Sequence, residues 1–161
     1  MIQRIQTLYL LIVAALFVAI VFLPIASLQS GDDVYSFDAA GLNFETVDNA
    51  GTSSFVLAYS TWALFALASL VALLSFTIIF MYKKRMLQIR LCIFNSLIII
   101  GFCLLAVYYL RIFSGSPFLP DLSITPCIWT SFPLISLILN YLAIRNIGAD
   151  ETLVRSLERL R

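Results

Sequence analysis

Four long apolar runs constrain this chain more than any other feature. They cover residues 5–28, 55–82, 91–113 and 124–144, and their central parts carry no Asp, Glu, Lys or Arg, Arg111 standing near the end of the third. A helix of about 20 apolar residues crosses the roughly 30 Å hydrocarbon core of a bilayer. Charged residues make up only 12% of the chain and hydrophobic ones 61%, whereas a soluble domain has about 25% charged and 45–50% apolar. A soluble chain could not bury that much apolar surface, so each run is expected to be a membrane-spanning helix. Pro24 falls where the first helix should stop. Pro133 falls inside the fourth run, where a kink is expected.

Sorting of charge sets the expected orientation. With four spans, nine of the ten basic residues share one side: Arg4, Lys83, Lys84, Arg85, Arg90, Arg145, Arg155, Arg159 and Arg161. Arg111 alone falls on the other side, together with Asp32, Asp33, Asp38, Glu45, Asp48 and Asp121. Basic loops stay cytoplasmic, so both termini are expected there. Tyr and Trp near the run ends suit the two membrane interfaces. Arg4, the apolar run 8–23 and the following "PIAS" also fit a cleaved signal peptide. The run is long for that role and its charged region thin, so retention is expected. Cleavage would leave the orientation of the other three spans unchanged.

The chain contains no His. That removes Ser-His-Asp and Cys-His catalysis, His-held metal or haem, and a His pH switch. Cys92, Cys103 and Cys127 form no CxxC and lie in apolar stretches, where a thiol packs as a small hydrophobe. The spans lack the central carboxylates that a proton-coupled carrier or an intramembrane aspartyl protease needs. No catalytic residue, cofactor or metal site is therefore assigned, nothing points to nucleic acid, and a non-enzymatic protein is expected.

The outer connection, residues 29–54, has five carboxylates and no Lys or Arg. A site for a cation or cationic partner competes there with a solvated acidic cap, and the scattered charges favour the cap. Within it, the alternations Tyr35/Phe37 and Leu42/Phe44 around Ala39-Ala40-Gly41 suit a small hairpin with Gly41 in the turn.

Two amides stand out in the spans. Asn95 lies five residues inside Arg90, and Asn140 five inside Arg145, so both fall at a similar depth near the inner leaflet. An amide in hydrocarbon needs a partner. They are expected to face the interior and join spans three and four; a polar ligand site is the competing reading. The pairs Ala15/Ala19 and Ala68/Ala72 suggest close packing of spans one and two.

The last segment differs from the rest. Gly148 can end span four and Asp150 can cap a new helix. Leu153, Val154, Leu157 and Leu160 then share one stripe, with Arg155 and Arg159 opposite and Glu151 and Glu158 flanking. Such a short amphipathic helix is marginal alone in water. It needs the membrane interface, the protein's own face, or a partner.

The start "MIQRIQTLYLL" and the end "DETLVRSLERLR" resemble those of an uncharacterised family of small bacterial four-span membrane proteins, known only as a domain of unknown function. The resemblance implies a bacterial cytoplasmic membrane and a retained first span. It implies no activity, cofactor or substrate. The two ends share a face, so Gln3, Arg4 and Gln6 are placed to pair with Asp150, Glu151 or Glu158. The expected fold is thus an all-α antiparallel bundle of four spans in residues 1–147, with a small β-containing outer loop and a cytoplasmic amphipathic helix in 148–161. The expected role is a scaffold or accessory subunit. It would contact the lipid bilayer and other membrane or cytoplasmic proteins through Gln3, Arg4, Gln6, Asp150, Glu151, Arg155, Glu158, Arg159 and Arg161. The alternative is binding or transport of a lipid or small apolar ligand between the spans.

Overall fold

The computed structural model describes residues 3–30, 33–47, 53–81, 85–114 and 123–159. Four long helices carry most of it: α1 (Gln3–Phe22), α2 (Trp62–Phe80), α3 (Arg85–Ser114) and α4 (Phe132–Arg159). All four are long and apolar enough to cross a membrane. Helix α1 packs on α2 and α4, and α3 packs on the same two. In the middle, Phe17 of α1 meets Phe102 of α3 edge to face at 5.6 Å between centroids. Each helix buries one stripe and leaves large apolar residues exposed elsewhere, as Leu73, Leu104 and Leu134 are. Water would penalise such a surface heavily, whereas hydrocarbon does not.

The largest departure from the sequence reading is a five-stranded antiparallel sheet at one end of the helices. Its strands are β1 (Ala26–Ser30), β2 (Asp33–Phe37), β3 (Gly41–Val47), β4 (Ser53–Ser60) and β5 (Ser123–Pro126), in the order β4-β3-β2-β1-β5. The expected hairpin is present, with Tyr35 opposite Phe44 and Phe37 opposite Leu42, although the bend falls at Ala39-Ala40 and Gly41 already opens β3. Three more strands join it, so an all-α reading understates the fold. Strands β1 and β4 use residues assigned to the ends of the first two runs, which shortens those helices. A short apolar run is ambiguous between helix and strand. What decides it here is pairing with β5, more than ninety residues away from β1 in the chain.

The sheet is two-faced, as an antiparallel sheet with one solvated side should be. Ala26, Leu28, Phe37 and Leu42 are buried in the main core. Ser27, Ser36, Asn43 and Thr125 alternate with that row and supply a polar opposite face. Phe113 at the end of α3 receives both Phe37 and Tyr59 edge to face at 5.7 Å. Thr61 ties the β2–β3 turn to the start of α2. Its backbone N–H donates to Ala40 O at 3.1 Å and its hydroxyl to Ala39 O at 3.2 Å. The α3–α4 connection is anchored similarly, since Cys127 N and the Thr130 hydroxyl both donate to Ile25 O.

Two helix-end expectations are corrected. Pro133 does not kink a span, because α4 starts at Phe132 after a 3₁₀ turn at Ile128–Ser131. Its missing N–H falls in the first turn, where no intrahelical partner is lost. Gly148 does not end a helix either, since α4 runs unbroken to Arg159. A C-terminal glycine cap requires a left-handed backbone, and Gly148 does not adopt one. One glycine in a helix interior costs only about 1 kcal/mol relative to Ala, which the helix formers after it can offset. The tail is therefore an extension of the fourth long helix and not a separate one. The Ala pairs also divide: Ala68 is buried, whereas Ala15 is exposed because α1 buries Gln6, Leu10, Val13, Phe17 and Ile20 instead.

Candidate functional site

Three places hold chemistry beyond apolar packing: the end opposite the sheet, a polar layer within the helices, and a pocket beneath the sheet. At the first, Gln6 Nε2 donates to Asp150 Oδ2 at 2.7 Å, across 144 residues of chain. Gln6 is buried on α1 and Asp150 half-buried on α4. The structure thus joins one residue from each chain end. Gln3 and Arg4 lie in the first turn of α1, and Glu151, Arg155, Glu158 and Arg159 in the last part of α4. The side chains of these six lie outside the described residues, as does Arg161 altogether.

The polar layer contains both asparagines, fully buried. Asn140 Nδ2 donates to Cys92 O and to Ser96 Oγ, each at 2.8 Å, and so joins α4 to α3. Asn95 Nδ2 donates instead to Ser75 Oγ at 3.0 Å and joins α3 to α2. The expectation that both would link spans three and four is therefore corrected for Asn95. Residues three apart on a helix share a broad face, but Asn95 and Ser96 are adjacent and point about 100° apart. Ser96 consequently takes the α4 side and Asn95 the α2 side.

This layer divides the apolar core in two. Val71, Ile99 and Val13 belong to the larger cluster on its sheet side. Ile78, Cys92, Ala143 and Leu10 belong to the smaller cluster on the other. Ser75 falls between Val71 and Ile78, and Asn95 between Cys92 and Ile99. Among the described residues, three buried polar atoms here lack a protein hydrogen-bond partner: Asn95 Oδ1, Asn140 Oδ1 and Ser136 Oγ. Among the described residues, the side chains that hydrogen-bond in this layer are the amides and hydroxyls of Asn95, Asn140, Ser75 and Ser96. Its chemistry is that of neutral hydrogen bonding, which fixes helix register without moving protons.

Sequence reasoning did not single out Gln88 or Ser136 here. Gln88 is buried, and its Nε2 donates to Ile78 O at 3.4 Å near the end of α2. Both were detectable by spacing, since Gln88 lies seven residues before Asn95 and Ser136 four before Asn140 on the same helix stripe.

In the outer connection, Asp38 accepts hydrogen bonds from the Ser36 hydroxyl at 2.8 Å and from Asn43 Nδ2 at 2.6 Å. It braces the hairpin. Asp32 and Asp48 lie outside the described residues. Among the described residues, no cluster of three His, Cys, Asp or Glu side chains could hold a metal ion.

The third place is a pocket of about 200 Å³ between α3 and the start of α4. Ile20 and Phe102 form its closed floor, and Val107, Trp129 and Leu134 its exposed rim. Thr130 is the one hydroxyl residue among its described lining, and that hydroxyl is already committed to Ile25 O. The lining therefore suits an apolar occupant.

These features define a mostly helical protein with four helices that could span a membrane and a small sheet at one end, that is, a candidate multi-pass membrane protein. The chain belongs to the family described as a domain of unknown function (DUF4293), whose model matches residues 2–160. No curated protein matches it.

Proposed function

We propose that this chain is a non-enzymatic four-span protein of the bacterial cytoplasmic membrane. Its helices form an antiparallel bundle with both termini cytoplasmic and the sheet outside, and it serves as a scaffold or accessory subunit. The observation that carries this reading is the continuity of α4. Its 28 residues make a rod of about 42 Å at 1.5 Å per residue, beyond the roughly 30 Å that a bilayer core requires. The excess carries the charged tail away from the membrane as a helix, in a form that another protein can grip. The Gln6–Asp150 bond supports the same reading by fixing where that projection leaves the bundle.

Two experiments test it. For orientation, Glu45→Cys in a Cys127→Ser background should react with an impermeant thiol reagent only from outside intact cells. Labelling only after the inner face is exposed would reverse the topology. For function, the full-length protein should be crosslinked in its native membrane through a photoreactive residue at position 155. It should give one discrete product there in the full-length chain, and deletion of residues 152–161, which spares Asp150, should change the pattern obtained from a second photoreactive residue at position 87. An unchanged pattern from position 87 in the truncated chain, together with no product from position 155 in the full-length chain, would remove the scaffold reading of the tail.

The apolar pocket beneath the sheet favours a second role, lipid binding.

A further inference from the structure

We propose that the pocket between α3 and α4 holds one acyl chain of an anionic phospholipid, and that Arg111 holds the phosphate of that lipid. The inference rests on the membrane reading above and adds a ligand to it.

The pocket arises from mismatched helix lengths. Helix α1 stops at Phe22, whereas α3 continues to Ser114. Phe17 and Phe102 are level, since they are in edge-to-face contact. The last turns of α3 therefore extend past the end of α1. The sheet covers one side of this overhang through Phe37 and Tyr59 on Phe113. The side bearing Val107 is left to the start of α4, which is held back by the bonds from Cys127 and Thr130 to Ile25 O.

Its size selects a single chain. An apolar cavity of about 150 Å³ stays dry and takes up a benzene-sized molecule, so about 200 Å³ admits a short acyl segment and no headgroup. Its floor is sealed, with Ile20 and Phe102 at 2% and 1% exposure. A chain seated there leaves the surrounding lipid and touches protein on several sides. That distinguishes it from lipid that merely wets a helix.

Charge selects the headgroup. Arg111 is the one Lys or Arg between Arg90 and Arg145. It is exposed and lies one helical turn beyond Val107, so the two side chains are neighbours on α3. A guanidinium matches phosphate with two parallel hydrogen bonds. Trp129 on the opposite rim suits the level where headgroup and chain meet.

The test uses the full chain in nanodiscs containing equal phosphatidylglycerol and phosphatidylcholine, followed by release into mild detergent and native mass spectrometry. The expected result is one retained phosphatidylglycerol per chain, preferred by roughly five-fold, as one interfacial Arg would provide. Arg111→Gln should keep a bound lipid and lose the preference. Val107→Trp should fill the rim and lose the lipid, while Leu104→Trp, also exposed on α3 but outside the pocket, should retain it. Circular dichroism of each variant checks that the helices persist. Lipid retained equally by Val107→Trp and Leu104→Trp would overturn the pocket. A preference that survives Arg111→Gln would overturn the headgroup assignment. Failure of the wild-type chain to enter nanodiscs would instead refute the membrane reading itself.

Discussion

Replacing Phe17 with Ala is expected to destabilise the helix assembly by about 2 kcal/mol, through the cavity term of core truncation. Phe17 is fully buried in the larger core cluster and meets Phe102 across the centre. In water, such a change would also lose transfer free energy. For helices that separate within lipid, the side chain merely exchanges protein for hydrocarbon, and that contribution is nearly absent. What remains is the void, with a volume of roughly 100 Å³ at about 24 cal/mol per Å³. Reversible unfolding in bicelles or mixed micelles measures it. A double-mutant cycle with Phe102→Ala should return a coupling of about 0.5–1.5 kcal/mol for the aromatic pair. A cost below about 0.5 kcal/mol for Phe17→Ala would mean that the two rings do not form the packed centre.

Asn140→Leu should cost about 1–2 kcal/mol, and Asn95→Leu about half of that. The ranking is the sharper part of this expectation. Asn140 donates two hydrogen bonds to α3 and Asn95 one to Ser75, and interhelical bonds in membranes average about 0.6 kcal/mol with a maximum near 1.7. Ser96 keeps a bond to Cys92 O at 3.1 Å when Asn140 is gone, which limits the loss. Each Leu also removes an acceptor without a protein partner, Asn140 Oδ1 or Asn95 Oδ1, and that offsets part of the cost. Thermal unfolding in one detergent should therefore order the proteins as wild type, Asn95→Leu, Asn140→Leu, from most to least stable. Unchanged stability for both variants would mean that the amides do not join the helices.

The two asparagines also show where sequence reasoning loses resolution. Depth was legible, because counting inward from Arg90 and Arg145 needs only the rise of a helix. Partners were not. Asn95 turns to α2 because Ser96, the next residue, is the one facing α4, and that rotation depends on how three helices sit around α3. Gln6 and Asp150 were legible as residues of one face, because an even number of spans returns the chain to the side where it began. Their bond also required α4 to continue past Gly148, which a local capping rule argued against. The helix continues because the left-handed turn that would stop it is not made.

The sheet shows the same division more strongly. Tyr35, Phe37, Leu42 and Phe44 alternate within a short stretch, so the β2–β3 hairpin is local information. Strand β5 is not, because "SITP" acquires its structure only from register with Ala26–Gln29. Once it pairs, β1 becomes an interior strand, and the end of the first apolar run becomes sheet.

By itself, the sequence determined the number of apolar helices, the sorting of charge to their ends, the local hairpin and the absence of histidine chemistry. Each of these follows from composition or from a period within one segment. Tertiary structure alone decided the five-stranded cap, the partner of each buried amide and the pocket left where α3 outruns α1. Those depend on which surfaces meet, and contact between segments far apart in the chain leaves no periodic trace in either one.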